Sequence, residues 1–199
     1  MKVVFATNNQ HKVNEIRSAL PQHFSIISLK EAGIDIDIPE PHDTLQDNAA
    51  EKARTIYHFF KKNCFSEDTG LEVYALNNEP GVRSARYAGD EKSFDKNIDK
   101  LLSELKNSGD RKARFRTVIC LIMIGKEYFF EGVCEGEIVG ERRGQGGFGY
   151  DPVFKPVGSD RTFAEMSMEQ KNLFSHRKKA TDKLVTFLNK LTIENHNIH

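Results

Sequence analysis

Short apolar runs alternate with amphipathic stretches over the first hundred residues of the chain. The run KVVFA at 2–6 predicts a buried strand, whereas HKVNEIRSAL at 11–20 repeats its apolar residues at helical spacing. Strands that alternate with helices in this way are typical of layered α/β folds. The predicted helices span 11–20, 44–62, 93–109 and 175–191, and the predicted extended segments span 2–6, 24–29, 34–39, 64–66 and 71–76.

Residues that begin or end helices flank several of these segments. Thr44 opens a T-x-x-D sequence that resembles a capping box, and Ser93 and Ser175 are N-cap candidates for the later helices. Pro21 follows the first helix and Gly109 follows the third, so both are expected to end them.

The middle of the chain switches to the alternation expected of strands. Residues 115–139 read as a β-hairpin that turns at Gly125–Lys126, which adds antiparallel strands and makes the sheet mixed. A chain of 199 residues without an internal repeat or linker suits one domain. We predict an α/β fold in which a mixed, twisted sheet is flanked by helices, with a single domain over 1–199 and a frayed tail at 192–199.

Composition and charge restrict the surroundings of the protein. Lys plus Arg and Asp plus Glu both number 29, so no overall field draws the chain to nucleic acid or to a membrane surface. A solvated face explains most basic runs of the kind that occurs at 111–116 and 176–180. No apolar run reaches the length of a membrane span, and the first one is too short for a signal peptide. Three unpaired cysteines among apolar neighbours indicate buried thiols, and we expect a cytoplasmic location.

The junction ATNNQHK at 6–12 joins the first strand to the first helix. A helix that begins near Asn9 or Gln10 would aim free N–H groups at a ligand above the sheet edge, with Lys12 in reach of an anion. A polar turn with a solvated lysine accounts for the same residues. Phosphate binding therefore remains one of two interpretations of this stretch.

Adjacent carboxylates occur in SEDTG at 66–70, where Thr69–Gly70 predicts a tight turn at the end of a short strand. Glu67 and Asp68 would repel each other there unless a cation or proton lay between them. Magnesium binds one or two carboxylates together with substrate phosphates, and Glu40 is a candidate additional ligand. A charged hairpin turn is the alternative.

The stretch GQGGFGYDP at 144–152 contains G-x-G-x-x-G. The dinucleotide fingerprint requires a strand before the glycines and a helix after them, and the prolines that follow disfavour that helix. Four glycines around Phe148 would instead let a flat base stack on its ring, with Asp151 as an acceptor. A flexible turn in which Phe148 fills the core is equally consistent.

Basic residues surround the start of the last predicted helix, in KNLFSHRKKA. If Ser175 is the N-cap, His176 and Arg177 lie in the first turn, where positive charge opposes the helix dipole. A ligand oxygen would offset that charge, and Lys171 lies just upstream. The alternative is a basic surface.

Five blocks in a fixed order carry a family resemblance that covers residues 2–190: TNNQHKVNEI, SEDTGLEV, PGVRSARYAG, GGFGYDPVF and KNLFSHRKKA. In these blocks the chain resembles the non-canonical purine NTP pyrophosphatases, the HAM1-like inosine/xanthosine triphosphate pyrophosphatase family. The resemblance implies hydrolysis of ITP, dITP and XTP to the monophosphate and pyrophosphate, dependence on Mg²⁺, and a homodimer of two-lobed subunits with a central cleft.

The same resemblance implies roles for individual residues. Asp68 would bind magnesium and act in catalysis with Lys12, and Thr69 would contact the substrate. The triphosphate cradle would consist of Thr7, Asn8, Asn9, Gln10, His11 and Lys12. The contacts to base and sugar-phosphate would come from Phe148, Gly149, Tyr150, Asp151, Lys171, His176 and Arg177.

Base selection would follow from the direction of hydrogen bonds. Hypoxanthine and xanthine carry a 6-oxo acceptor where adenine carries an amine, and His176 and Arg177 are donors. Adenine would leave those donors unpaired.

Two other functions fit parts of the sequence. A Maf-like pyrophosphatase would act on modified pyrimidine triphosphates with a similar architecture. A nucleotide-sensing or nucleic-acid-binding module would use the basic runs, although the balanced charge argues against it.

Overall fold

The computed structural model describes residues 2–36 and 38–196, which fold around one mixed sheet of seven strands. The strands are β1 (Lys2–Phe5), β2 (Ser25–Ser28), β3 (Cys64–Val73), β4 (Pro80–Gly81), β5 (Lys112–Met123), β6 (Lys126–Ile138) and β7 (Phe154–Pro156). Their order is β2-β1-β3-β5-β6-β7, with β4 paired to β3. Strand β1 pairs in parallel with β2 and β3, and the other pairings are antiparallel. The predicted mixed α/β sheet is confirmed.

The helices are α1 (Gln10–Ala19), α2 (Leu45–Phe60), α3 (Phe94–Glu104), α4 (Met168–Asn172) and α5 (His176–His196). The predicted caps are confirmed, because the Thr44, Ser93 and Ser175 side chains accept first-turn N–H groups. Helix α3 ends earlier than predicted, and α5 continues to His196 where a tail from 192 was predicted. Residues 197–199 of that tail lie outside the described part of the chain.

The hairpin of β5 and β6 is confirmed, with its turn one residue earlier than predicted. Met123 pairs with Lys126, so Ile124 and Gly125 form the two-residue loop. Both have positive φ, 50° and 75°, as a type I′ turn requires. The predicted extended segment 34–39 has no regular secondary structure in its described residues, and residue 37 lies outside them.

Strand β3 contains the largest departure from the sequence prediction. It pairs with β5 without interruption from Cys64 to Val73, so the predicted turn at Thr69–Gly70 is wrong. Gly70 instead lies where β4 crosses closely, since a Cβ there would be 2.6 Å from the Gly81 carbonyl oxygen. The acidic pair therefore lies inside a strand and not at its end.

The apolar side chains separate into clusters along the long central strands. Helices α1 and α5 cover one face, where Phe5, Phe65 and Leu184 pack together, and α2 covers the other face around Ile56. A third cluster around Leu71, Ile98, Phe115 and Phe154 forms where α3 packs against the far ends of β3, β5 and β6. These clusters form two lobes, and a cleft lies between them.

The three cysteines, Cys64, Cys120 and Cys134, are buried free thiols, as predicted. Burial raises the pKa of each thiol to about 12, so they remain protonated at neutral pH.

Candidate active site

One cleft lies between the acidic residues of β3 and the loop at 144–149, which we call the glycine-rich loop. Asp68 and Phe148 both line it, although they are far apart in the sequence. One nucleotide can contact both a metal–phosphate site and a base platform only if the two line the same cleft. The predicted residues that line the cleft are Asn9, Lys12, Glu40, Asp68, Thr69, Phe148, Gly149, Tyr150, Asp151, Lys171, His176 and Arg177.

The loop before α1 is held by its own side chains. Asn9 caps the helix by accepting the Lys12 N–H at 3.2 Å, and Thr7 Oγ1 accepts the Asn9 N–H at 3.1 Å. The side-chain amides of Asn8 and Gln10 donate to other groups of the protein. Of the predicted phosphate cradle, Asn9 and Lys12 line the cleft. An anion there would meet a helix N-terminus and one ammonium group.

His11 lies against the predicted base platform. Its ring stacks on Phe148, with centroids 5.0 Å apart, and its edge faces Phe94 at 6.4 Å. The buried Lys171 ammonium and Arg177 guanidinium lie 5.5 and 5.6 Å from the centre of the same Phe148 ring. Protein groups therefore surround the ring on which the base was expected to stack.

Lys52 bridges two carboxylates at the acidic end of the cleft. Its ammonium donates to Glu40 and, at 3.2 Å, to Asp68 Oδ1. Burial would lower the pKa of Lys52, but Asp68 and Glu40 raise it above its ordinary value. Burial raises the pKa of Asp68 despite the nearby lysines. The second oxygen, Oδ2 of Asp68, is buried and has no hydrogen-bond partner within the described chain.

Asp68 and Glu40, the carboxylates predicted to bind magnesium, both line the cleft. Within residues 2–36 and 38–196, no group of three or more His, Cys, Asp or Glu side chains could hold a metal alone. Magnesium is commonly bound through one or two carboxylates, with substrate phosphates completing the coordination. The unpartnered Asp68 oxygen fits that arrangement.

Glu67 points to the opposite face of β3 from Asp68, because side chains alternate along a strand. It forms ion pairs with Lys12 at 2.8 Å and with Arg177 at 3.0 Å. Burial would raise the pKa of Glu67, but Arg177 and Lys12 hold it well below its usual range. The expected repulsion between Glu67 and Asp68 is avoided, and each carboxylate has its own lysine.

A chain of alternating charges continues from Glu67 below the Phe148 ring. Arg177 also pairs with Glu15, and Lys171 pairs with Glu15 at 2.6 Å and with Asp151 at 2.5 Å. These groups are all nearly inaccessible to solvent. Removing any one of them would leave a neighbouring buried charge unpaired, so the network restrains the positions of the cationic groups.

Glu15 and Lys52 are site residues that the sequence analysis missed. Glu15 precedes Ile16 on the buried face of α1, and Lys52 precedes Ala53 on the buried face of α2. Charged residues are rarely buried without partners, so their position on the apolar side of each helix was the available signal.

Two glycines of the 144–149 loop have a different role from the predicted one. Gly147 has a φ of 70°, and a Cβ there would lie 2.0 Å from the Asp151 carboxylate. That carboxylate accepts the Phe148 N–H at 2.9 Å and the Lys171 ammonium. Gly144 likewise approaches the backbone of Ala164. Gly144 and Gly147 thus let the loop fold onto the protein, whereas Gly149, beside Phe148, has open space around it.

His176 lies at the first position of α5 and is buried. Its ring stacks on Phe115, with centroids 4.6 Å apart, and its Nδ1 has no partner within the described residues. Burial and the neighbouring Arg177 hold the pKa of His176 well below its usual range. A neutral imidazole with a free ring nitrogen therefore faces the cleft.

Arg177 uses most of its donors within the protein. Its Nε donates to Glu67, Nη1 donates to Glu15, and Nη2 donates to both Glu67 and Thr69. This leaves one Nη1 N–H for a ligand. These bonds therefore restrict the Arg177 guanidinium more than the guanidinium of a surface arginine is restricted in solvent.

The segment 80–89 forms a wall of the cleft. Ser84 and Ala85 line it, and the Ser84 carbonyl accepts hydrogen bonds from Tyr150 and Asn97. Tyr150 therefore lines the cleft and also holds the Ser84 carbonyl of this wall in place.

The arginines of the basic run at 111–116 are bound by the protein itself. Arg111 donates to main-chain carbonyls, and Arg114 and Arg116 both pair with Glu72. None of the helices in the described chain combines the length and apolar character needed to cross a bilayer.

Comparison with known proteins shows the family of this chain. A model of the Ham1 family matches residues 3–187. The chain belongs to the Ham1 family.

Several proteins resemble it over nearly their whole length. Proteins named dITP/XTP pyrophosphatase from Porphyromonas gingivalis and Flavobacterium johnsoniae are 53% and 50% identical over 188 residues, which are 94% of this chain and 97% and 98% of theirs. The solved structure of the Staphylococcus aureus Ham1 protein superposes with a TM-score of 0.85 at 40% identity, covering 96% of this chain and 99% of that one. The Ham1 protein of Coxiella burnetii gives 0.86 at 36% identity over the same shares.

The Ham1 match confirms the family that the five sequence blocks indicated. Four of those blocks supply the Ham1 cleft with lining residues from α1, β3, the glycine-rich loop and the start of α5, and the fifth supplies its wall.

Proposed function

We propose that this chain hydrolyses the non-canonical purine nucleoside triphosphates ITP, dITP and XTP to the monophosphate and pyrophosphate. The observation that carries the proposal is the shared cleft of Asp68, Lys12, Phe148 and His176. Membership of the Ham1 family and the names of the similar pyrophosphatases support the same activity.

Asp68 and Glu40 would hold Mg²⁺ together with phosphate oxygens of the substrate. The ion would neutralise charge on the phosphates and acidify a nearby water. The Asp68 carboxylate would hold the ion through its free Oδ2 and accept the proton of the attacking water at Oδ1. Lys52 holds the other oxygen of Asp68 and so fixes the direction of the free one.

Lys12 and the N-terminus of α1 would stabilise the departing pyrophosphate. The Lys12 side chain is 17% exposed, and its ion pair with Glu67 keeps it at the cleft. Preorganised positive groups of this kind stabilise charge that develops on a leaving group.

The base would bind at the buried end of the cleft. A purine stacked on Phe148 would present its 6-oxo group to the remaining Arg177 N–H and to neutral His176 in the tautomer that carries its proton on Nδ1. Both donors are buried, so an adenine amine would leave them unpaired at about 1–3 kcal/mol each. This cost is the basis of the proposed discrimination against ATP.

The proposal includes dependence on Mg²⁺ and a homodimeric assembly, which the family resemblance implies, and a cytoplasmic location, which the composition of the chain favours. Sedimentation of the purified chain tests the assembly, and fractionation of cells tests the location.

Pyrophosphate release from a panel of triphosphates tests the activity directly. We expect ITP, dITP and XTP to be hydrolysed with Mg²⁺ and not with EDTA, and ATP and GTP to be poor substrates. Preference for dTTP and UTP would favour the Maf-like alternative. Salt-sensitive binding to DNA without pyrophosphate release would favour a nucleic-acid-binding module.

The variant Asp68→Asn tests the catalytic assignment. We expect turnover to fall about 10²–10⁴-fold while ITP still binds, because the proton acceptor is lost. Asp160→Asn, at an exposed aspartate, is the matched control. Near-normal turnover by Asp68→Asn would remove Asp68 from the mechanism.

A further inference from the structure

Thr117 is a fully buried polar residue in the centre of β5 that the proposed chemistry does not use. It pairs directly with Thr69 of β3, and the two hydroxyl oxygens are 2.5 Å apart. Within the described residues, Thr69 is the hydrogen-bond partner of the Thr117 hydroxyl. A threonine at 0% exposure with a single hydroxyl contact invites a functional explanation.

The direction of this hydrogen bond follows from the partners of Thr69. Its hydroxyl lies 2.9 Å from Glu67 Oε2, and an ionised carboxylate only accepts. The ion pairs with Arg177 and Lys12 keep Glu67 ionised. Thr69 has one proton, which it donates to Glu67. The 2.5 Å contact must then be a bond in which Thr117 donates and Thr69 accepts.

The remaining acceptor site of Thr69 is occupied by Arg177. The Nη2 of Arg177 donates to Thr69 Oγ1 at 3.2 Å and to Glu67 Oε1 at 3.3 Å. A hydroxyl has one donor and two acceptor sites, so all three sites of Thr69 are filled by the protein. Thr69 lines the cleft, and a substrate contact to its hydroxyl, as the family resemblance implied, would have to displace one of these three bonds.

Thr117 therefore donates a hydrogen bond to Thr69, and Thr69 donates one to Glu67. Strand pairing positions Thr117, and its hydrogen bond holds the Thr69 hydroxyl where it accepts from Nη2 and donates to Glu67. These bonds determine the plane of the Arg177 guanidinium. That group lies 5.6 Å from the Phe148 ring and carries the one Nη1 N–H left for a ligand.

We propose that Thr117 is a positioning residue for Arg177 and thereby sets the preference for 6-oxo purines. The inference rests on the proposed function, in which Arg177 contacts the base. Thr117 acts through Thr69 and touches neither phosphate nor the acidic residues that hold the metal.

The isosteric variant Thr117→Val removes the hydroxyl and keeps the shape. Loss of one hydrogen bond of about 0.5–1.5 kcal/mol corresponds to a roughly 2–10-fold rise in KM for ITP. We expect kcat to stay within about twofold of the wild-type value and the ratio of kcat/KM for ITP over ATP to fall. Thr117→Ser retains the donor and should restore both.

Thr181→Val is the matched control. Thr181 is another fully buried threonine, but its hydroxyl donates to the main-chain carbonyl of Arg177 at 2.7 Å. We expect it to lower the melting temperature without changing the ITP preference. An unchanged KM and ITP-to-ATP ratio in folded Thr117→Val, or the same loss in Thr117→Ser, would overturn the inference.

The nucleotide-free protein allows a second measurement that does not depend on substrate. The Arg177 side-chain N–H signals in ¹⁵N-resolved NMR should be sharp and distinct in the wild type and in Thr117→Ser, because rotation of the guanidinium is hindered. Broadened signals are expected in Thr117→Val, and sharp ones there would contradict the proposal. If the wild-type protein did not hydrolyse ITP, the proposed function would be refuted, but the NMR comparison would still show whether Thr117 positions Arg177.

Discussion

The imidazole ring of His11 lies nearly parallel to the phenyl ring of Phe148, with centroids 5.0 Å apart and planes at 17°. Stacked aromatic pairs have centroid separations of about 4.5–7 Å, so no third ring fits between them at this distance. His11 comes from α1 and Phe148 from the glycine-rich loop, and Phe94 of α3 contacts both rings. A purine that stacks on this face of Phe148 must therefore replace the imidazole ring.

His11→Ala is expected to strengthen nucleotide binding. The variant removes the ring that competes for Phe148, and an aromatic pair contributes about 0.5–1.5 kcal/mol, which corresponds to a roughly 2–10-fold lower Kd for IMP. Calorimetric titration measures the change, with His58→Ala at an exposed histidine as the control. Weaker binding by His11→Ala would mean instead that His11 holds the base from its other side.

Gly147→Ala is expected to displace the glycine-rich loop. The new methyl group would lie 2.0 Å from Asp151 Oδ2 at a residue with a φ of 70°, so the bond from the Phe148 N–H would be lost. We expect a loss of more than about 2 kcal/mol in the free energy of unfolding together with weak IMP binding.

Gly149→Ala is the matched control for that prediction. Gly149 also has a positive φ, 62°, but no atom lies within 4 Å of its added Cβ. The cost there should be about 1–2 kcal/mol from the backbone alone, and denaturant unfolding compares the two variants. Equal costs would show that the contact with Asp151 is unimportant.

Lys52→Met is expected to make stability depend on Mg²⁺. The variant leaves Glu40 and Asp68 without the ammonium that joins them, and an unpaired buried charge costs about 3–5 kcal/mol. The melting temperature should fall, and added Mg²⁺ should recover more of it than it adds to the wild type. Lys30→Met, at an exposed lysine, should behave like the wild type. Equal Mg²⁺ responses would argue against a cation between these carboxylates.

His176 is expected to contribute to the pH dependence of stability. Burial and the nearby Arg177 lower the pKa of His176 in the folded state well below the unfolded value of about 6.5. Below that value the unfolded state binds a proton that the folded state excludes, so stability falls with falling pH. From pH 7.5 to 5.5 the wild type should lose about 1.4 kcal/mol more than His176→Asn. Identical losses in chemical denaturation would show that His176 titrates normally.

Local patterns in the sequence determined most secondary structure and the family. Thr44, Ser93 and Ser175 cap the helices that their positions predicted, because a cap bonds to N–H groups only two or three residues away. The hairpin followed from alternation and a nearby glycine. Most residues nominated for the site do meet in one cleft, where the starts of α1 and α5 and the glycine-rich loop lie beside the middle of β3.

Tertiary structure alone decided which groups are partners. Glu67 and Asp68 are adjacent in sequence, yet an unbroken β3 sends them to opposite faces, where Arg177 and Lys52 neutralise them separately. Thr117 acquires its role only through its register with β3. Such pairings join residues far apart in the chain, and their energies depend on burial, which no local pattern encodes.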